Sequence, residues 1–271
     1  MKYDLHVHSS VSDGKVDREE IIKKAIESEL RYISFTEHND FKPIENEEIY
    51  VQKNIEFING IEFDVFYDKS FHMLCYFDVF DVKIQKLIKQ YKQNTNDRSE
   101  NLIKNITRLH NINVSLDSIK NDLNKEYITK RDIIDWLILN EYAQTVHEAS
   151  YKYTGKNSIS YVPKFSIDFK DLAYDLNSIG CKLVLAHPST LKYDNIKLEM
   201  FIKKLINLGL DGIEIINPSK ISPIETQIYK LLALKYDLLT SGGSDFHNFC
   251  DTCLGIEDDE SKKIIKLLKG V

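Results

Sequence analysis

Cysteine is sparse and scattered in this chain of 271 residues, at Cys75, Cys181, Cys250 and Cys253. Such irregular spacing excludes a disulfide framework and suits a reducing cytoplasm, which is the expected location. Arginine is scarcer still relative to lysine: only Arg18, Arg31, Arg98, Arg108 and Arg131 appear among 36 basic residues, so an arginine in a favourable place draws notice. No segment approaches the roughly 18 to 20 consecutive apolar residues that a membrane span needs. The opening Met1-Lys2-Tyr3-Asp4-Leu5-His6 lacks the apolar run of a secretory signal and enters a strand pattern at once. An excess of positive charge is also missing. The net charge of −6 disfavours a sequence-independent grip on nucleic-acid backbones, so no stable nucleic-acid partner is expected, while a small phosphorylated substrate remains open.

What is present has ordinary globular proportions, with 42% hydrophobic and 29% charged residues, and a barrel of this length commonly forms one unit. We therefore expect a single domain over 1–271. Residues 3 to 8 alternate, Leu5 and Val7 facing one way and Asp4, His6 and His8 the other, as in a half-buried strand. After the Ser12-Asp13-Gly14 turn, Asp17 and Glu20 make a capping-box-like start for a helix carrying Ile21, Ile22, Ala25, Ile26 and Leu30 at helical spacing. Further strands are predicted over 32–36, 55–63 and 71–77, the last two as a hairpin that puts His72 near Glu62. From about 80 to 165 the pattern is helical, with capping signals at Thr129 to Asp132 and Thr145 to Glu148, and it reads as an insertion whose core holds Trp136 with Ile133, Ile134, Leu137 and Ile138. Strands alternating with helices resume over 182–187, 212–217 and 238–243. Seven strands of this kind predict an α/β fold, a parallel barrel or an open sheet, with its site at the carboxyl ends of the strands.

Six of the eight histidines, His6, His8, His38, His72, His187 and His247, fall at or beside those strand ends, together with Asp13, Glu62 and Asp245. A strand-end histidine taken alone is more often a hydrogen-bonded structural residue. Nine such groups at one edge are hard to explain by packing. Imidazole nitrogens mixed with carboxylate oxygens suit zinc, manganese or iron, and nine exceed what one ion can bind. The spacing His6-Val7-His8 places both rings on one side of a strand.

The motifs His6-Val-His8 with Ser12-Asp13-Gly14, Thr36-Glu-His38-Asn39, Gly60-Ile-Glu62, His72, Ala186-His187-Pro188 and Gly243-Ser244-Asp245-Phe246-His247 run in order along nearly the whole chain. This combination resembles the PHP (polymerase and histidinol phosphatase) family. The resemblance implies a distorted seven-stranded (β/α)7 barrel holding two or three divalent ions, with manganese, iron and zinc as the candidates. His6, His8, Glu62 and Asp245 would bind the first, Glu62, His72 and His187 the second, and Asp13, His38 and His247 the third. It further implies phosphoester hydrolysis by a hydroxide bridging two metals, with Asp245, His187 and His247 close to the reaction and His187 or His247 able to protonate the leaving oxygen. One departure stands out: relatives usually read Thr-Asp-His-Asp where this chain has Thr36-Glu37-His38-Asn39, so one supporting carboxylate is lengthened and another has lost its charge.

For the substrate, Arg131 at a helix start is the first choice of phosphate clamp, because its guanidinium fork can pair with two phosphate oxygens. Tyr161 and Lys164 are further candidates. The helical insertion ending in Tyr161-Val-Pro163 is similar to the subgroup acting on 3′,5′-nucleotide bisphosphates and short RNA 5′ ends. The same triplet, Lys130-Arg131-Asp132, sets an acid beside any bound phosphate. Rival readings are a histidinol phosphate phosphatase, an amidohydrolase-type hydrolase, and a non-catalytic metal-binding module. Cys250-Asp-Thr-Cys253 lacks a second pair and reads as an inert loop, while His110 and His147 sit in helical segments and read as ordinary.

Overall fold

A computed structural model describes residues 1–125 and 127–270. The chain divides into two compact units, one of Met1–Gln85 with Ile167–Val271 and the other of Lys86–Ser166.

In the first unit, β1 (Lys2–Val7) is followed by α1 (Arg18–Glu27), whose first turn is closed by Asp17 accepting from the Glu20 N–H at 2.9 Å. Ile21, Ile22 and Ala25 recur on the buried face of that helix. β2 (Tyr32–Phe35) pairs parallel to β1, α2 (Glu47–Val51) crosses over, and β3 (Glu56–Phe57) pairs parallel to β2. The strand expected over 55–63 is thus broken, because after Phe57 the chain leaves β2 and starts β4 (Asn59–Tyr67). β4 and β5 (Lys69–Phe77) form the expected hairpin, turning at Asp68 with φ 58°, and the register sets Asp64 opposite His72 and Glu62 opposite Leu74.

The helices α3 (Val82–His110), α4 (Leu116–Leu123), α5 (Lys130–Leu139) and α6 (Val146–Ala149) come next, then β6 (Ile167–Asp168), α7 (Phe169–Asn177), β7 (Lys182–Leu185), α8 (Asn195–Asn207), β8 (Gly212–Ile216), α9 (Pro223–Lys235), β9 (Leu239–Gly242), β10 (Ile256–Glu257) and α10 (Lys262–Lys269). β1 is buried on both faces rather than half-buried, as is usual for parallel strands that carry helices. Tyr3 and Leu5 pack with Leu74, Tyr76, Val184 and Ile264, each large apolar side chain contributing roughly 1.5–3 kcal/mol when fully buried.

The strands do not close into one continuous barrel ladder. Among the described residues they form a four-stranded sheet, β10-β1-β2-β3, and a six-stranded sheet, β6-β4-β5-β7-β8-β9. Single bridges, Val7 with Phe246 and His38 with Glu62, lie between them. Both seams are tight at a glycine. A Cβ on Gly243 would lie 2.2 Å from the His6 Cβ, and one on Gly60 would lie 2.5 Å from the Ser34 Oγ. Both seams still carry short runs of backbone hydrogen bonds, Asp245 N–H to His6 O at 2.8 Å and His8 N–H to Phe246 O at 2.9 Å at one, Asn39 N–H to Glu62 O at 2.9 Å and Glu62 N–H to Glu37 O at 3.1 Å at the other.

The second unit is built from helices around one apolar cluster: Leu102, Ile103 and Ile106 of α3, Ile119 of α4, and Ile133, Ile134, Trp136 and Leu137 of α5. Thr129 and Asp132 form the expected capping box on α5, and the Trp136 indole N–H donates to Asp122 at 2.8 Å.

Candidate metal centre

Period-two geometry on β1 sends Asp4, His6 and His8 to the side opposite Tyr3, Leu5 and Val7. Both histidine rings are fully buried. The His6 Nε2 faces Glu62 Oε2 at 3.4 Å and Asp245 Oδ1 at 3.6 Å, and the His8 Nε2 faces the same two oxygens at 3.2 and 3.4 Å. Glu62, from β4, is the hub. Its Oε1 lies 2.9 Å from His187 Nε2 and 3.0 Å from His72 Nδ1, and its Oε2 lies 3.2 Å from His38 Nδ1. Asp13 stands on the outer side, 3.4 Å from His247 Nε2, 3.7 Å from His38 Nε2 and 3.8 Å from His8 Nδ1.

All nine residues singled out as metal ligands are therefore gathered in one place. They form four overlapping groups, His8-Asp13-His38-His247, His6-Glu62-His187, His6-His8-Asp245 and His38-Glu62-His72, each offering donor atoms within 4.8 Å of one another. Three backbone positions in this region take left-handed angles: Asn39 (φ 51°), His187 (φ 24°) and Asp245 (φ 55°). Asparagine and aspartate tolerate them, but at His187 the conformation is costly, as is common where a side chain must be aimed.

The cluster passes a direct test of fitness for cations. Buried polar atoms normally have partners, yet His6 Nε2, both ring nitrogens of His8, His38 Nδ1, Glu62 Oε2 and Asp245 Oδ1 are buried without a hydrogen bond. They converge on the same space, and nitrogen with carboxylate oxygen is the donor mixture that divalent transition metals take. The electrostatics agree. Burial alone would raise the Glu62 carboxyl, but His72, His38 and His6 hold it well below the usual carboxylate range. Asp245 is likewise held far down against burial by His6 and His8. Burial depresses the imidazoles of His8 and His72, but Asp245 and Glu62 bring the first up to about 9, and Glu62 with Asp64 bring the second up to about 10. His38 is pushed down to about 4 by burial, which outweighs its attraction to Glu62.

Several supporting residues were not singled out from the sequence. Glu214 of β8 accepts from the His187 backbone N–H at 2.6 Å and sits 2.9 Å from His6 Nδ1, so it orients the first ring from behind. Its signal was available: a lone carboxylate inside the otherwise apolar Gly212-Ile-Glu-Ile-Ile216. Asp4, on the His6 face of β1, accepts from the Ser244 N–H at 2.9 Å, the Ser244 hydroxyl at 2.6 Å and the Gly255 N–H at 2.8 Å, bolting β1 to the loop that carries Asp245. Burial pushes its carboxyl up to about 6 against those bonds. Lys220 pairs with Asp245 Oδ2. Glu37, which the sequence does mark as a supporting carboxylate, accepts from the Ser9 N–H at 3.1 Å, the Ser12 hydroxyl at 2.6 Å and Arg18 Nη2 at 3.0 Å, so it fixes both ends of the loop leading to Asp13.

The substrate candidates lie in the second unit. Arg131 is exposed and spends its Nε on Asp135 of its own helix at 2.9 Å. Asp132, the acid of the triplet, is buried and occupied with Thr129 and with Lys125 at 2.5 Å. A different set of cations is grouped there: Lys130 is held below its ordinary value by burial and by Arg98 and Lys164, and Tyr161 belongs to the electrostatic surroundings of Arg98. His110 makes a hydrogen bond to Ser160 at 2.9 Å and packs edge-on against Tyr153. Cys250 and Cys253 are free and exposed. No helix among the described residues is long and apolar enough to cross a membrane.

A nine-residue cluster of this composition on strand ends marks the metal-dependent hydrolases of the α/β class. The PHP domain matches residues 4–177, and the chain belongs to the PHP domain family. A 5′-3′ exoribonuclease of Haemophilus influenzae is 25% identical over 92% of this chain and 91% of its own length. A 3′,5′-nucleoside bisphosphate phosphatase of Chromobacterium violaceum is 22% identical over 90% of this chain and 86% of its own. Among solved structures, an amidohydrolase from Chromobacterium violaceum superposes with a TM-score of 0.79 at 21% identity, covering 99% of this chain and 96% of that one, a likeness of fold.

Proposed function

We propose that this phosphoesterase acts on nucleotide-type substrates, 3′,5′-nucleotide bisphosphates or the 5′ ends of short RNA, at a centre of two or three divalent ions. The observation that carries the metal reading is the convergence of unpartnered, buried donor atoms around Glu62. His6, His8, Glu62 and Asp245 would hold one ion, Glu62, His72 and His187 a second, and Asp13, His38 and His247 a third. When bound, such ions supply Lewis acidity toward phosphoryl oxygens and ease the ionisation of water near neutral pH. Manganese, iron and zinc all suit the donor set. We also read the two sheets with their two single bridges as a distorted barrel, the seven longer strands following one another around the centre.

The chain's own residues divide the work by exposure. His6, His8, Glu62 and Asp245 are sealed, whereas the side chains of His38, His72 and His247 are 23, 31 and 30% exposed. A phosphoester therefore approaches from the His38-His72-His247 side. His247 donates its Nδ1–H to the Asp245 carbonyl at 2.8 Å, which leaves Nε2 facing Asp13 and the open edge. That nitrogen can either hold the third ion or, with that ion absent and the ring protonated, hand a proton to the leaving oxygen; His187, 3% exposed, is too enclosed for the second role. Tyr161, Lys164 and Arg131 are the proposed contacts for a substrate phosphate, Arg131 being also the partner of Asp135.

The relatives that hydrolyse RNA and nucleoside bisphosphates support this substrate class. The test is phosphate release by metal-stripped protein reloaded with Mn²⁺, compared across 3′,5′-adenosine bisphosphate, short 5′-phosphorylated RNA, histidinol phosphate and an aryl phosphate. The expected result is a preference of at least about tenfold in kcat/KM, about 1.4 kcal/mol, for the first two. Preference for histidinol phosphate would replace the substrate reading, and inactivity on all four despite bound metal would point to a non-catalytic module.

A further inference from the structure

The altered tetrad Thr36-Glu37-His38-Asn39 and the aspartate that follows Glu62 on the same face of β4 explain one another. Asn39 and Asp64 make a reciprocal pair: the Asn39 amide donates to Asp64 Oδ2 at 2.9 Å, and the Asp64 backbone N–H donates to the Asn39 Oδ1 at 2.9 Å. Both residues are buried, 1 and 6% exposed. The other carboxylate oxygen of Asp64, Oδ1, lies 3.0 Å from His72 Nε2, while His72 Nδ1 turns to Glu62 at 3.0 Å. An acid at position 39 could not do this, because two carboxylates would then face each other with no donor between them. An amide can, because it offers both a donor and an acceptor.

We propose that Asp64 is the positioning residue of the His72 corner, and that Asn39 is there to hold it. Resting on the metal-dependent reading above, the inference is that Asp64 accepts the His72 Nε2–H, fixes the tautomer with the Nδ1 lone pair toward Glu62, and makes that nitrogen more basic toward a cation. A carboxylate behind a ligating imidazole acts in this way, and its loss commonly weakens metal binding 10- to 100-fold. The negative charge that the tetrad lacks at position 39 is supplied instead from β4, two residues beyond the hub.

The test is calorimetric titration of metal-stripped protein with Mn²⁺, alongside thermal melting, for the wild type, Asp64→Ala and the exchanged pair Asn39→Asp/Asp64→Asn. Asp64→Ala should weaken one class of binding site by roughly 10- to 100-fold and leave the others near wild type. The exchanged pair restores a carboxylate–amide contact between the two positions but presents His72 with a neutral acceptor. Its melting temperature should therefore recover toward wild type while the weakened site stays weak, a split that a merely structural role would not produce. Full recovery of affinity in the exchanged pair would overturn the inference, as would unchanged affinity in Asp64→Ala. A wild-type protein that takes up no Mn²⁺ would overturn the metal reading itself, an outcome distinct from equal loading of wild type and variant.

Discussion

The two units of the molecule solve the problem of an interior in opposite ways. The unit of Lys86–Ser166 buries a conventional apolar cluster, and among its described residues the one buried carboxylate, Asp132, is satisfied locally by Thr129 and Lys125. The unit of Met1–Gln85 and Ile167–Val271 buries Asp4, Glu37, Glu62, Asp64, Glu214 and Asp245 together with His6, His8 and His187. Desolvating so many ionisable groups costs far more than packing can justify unless they satisfy one another or a ligand. The comparison teaches that the first interior is organised for stability and the second for a bound charge.

That contrast can be broken experimentally, most severely at the hub. Glu62→Gln should lower kcat/KM by about three orders of magnitude, about 4 kcal/mol, and weaken metal uptake; a variant retaining a tenth of wild-type turnover would remove Glu62 from the centre. In the other unit, Leu137→Ala should cost about 2–5 kcal/mol in a denaturant titration, with Mn²⁺ stoichiometry unchanged. Parallel loss of stability and of metal sites would contradict the division of labour.

The next effect separates the interiors by pH. In metal-stripped protein the raised His8 and His72, at about 9 and about 10, carry protons that incoming metal must displace. Mn²⁺ affinity should consequently rise with pH through the neutral range, with proton release visible as a dependence of the calorimetric heat on buffer ionisation enthalpy. The stability sign is the reverse. A raised imidazole stabilises fully below the unfolded value of about 6.5 and loses that contribution as pH climbs through the folded value. The melting temperature of stripped protein should therefore fall between about pH 7 and 10, and a flat profile would show that the cluster does not hold those protons. Smallest of all, Thr129→Ala in the helical unit and Ser222→Ala at the α9 capping box should each cost about 1 kcal/mol, as caps do in either setting.

Much of the centre was legible because its grammar is local. His6 and His8 share a face by strand periodicity alone, the β4-β5 hairpin brings His72 to Glu62, and capping signals mark α1 and α5 correctly. Glu214 breaks an apolar strand pattern, but a single acid in a strand does not say which ring it will meet across a sheet; Asp4 falls on the His6 face by alternation, but nothing local says that it will hold Ser244 and Gly255, some 240 residues away. Arg131 was favoured for its chemistry, yet the i,i+4 spacing to Asp135, readable in advance, already offered it a partner. The open ladders could not be read. How far the few backbone hydrogen bonds at each seam extend into a ladder depends on the long-range placement of strands, which no side-chain pattern within one strand encodes.

Those two seams also make the centre a clasp. One sheet and its loops contribute His6, His8, Asp13 and His38; the other contributes Glu62, His72, His187, Asp245 and His247. Any cation shared among these residues adds a further tie between two sheets already joined by the Tyr3 and Leu5 packing and by single bridges, so its binding energy is also cohesion between the halves of the fold. Starved of metal, the unit should open first along the Gly60 and Gly243 lines, and a chelator should act on this protein as a reductant acts on a disulfide-stapled one.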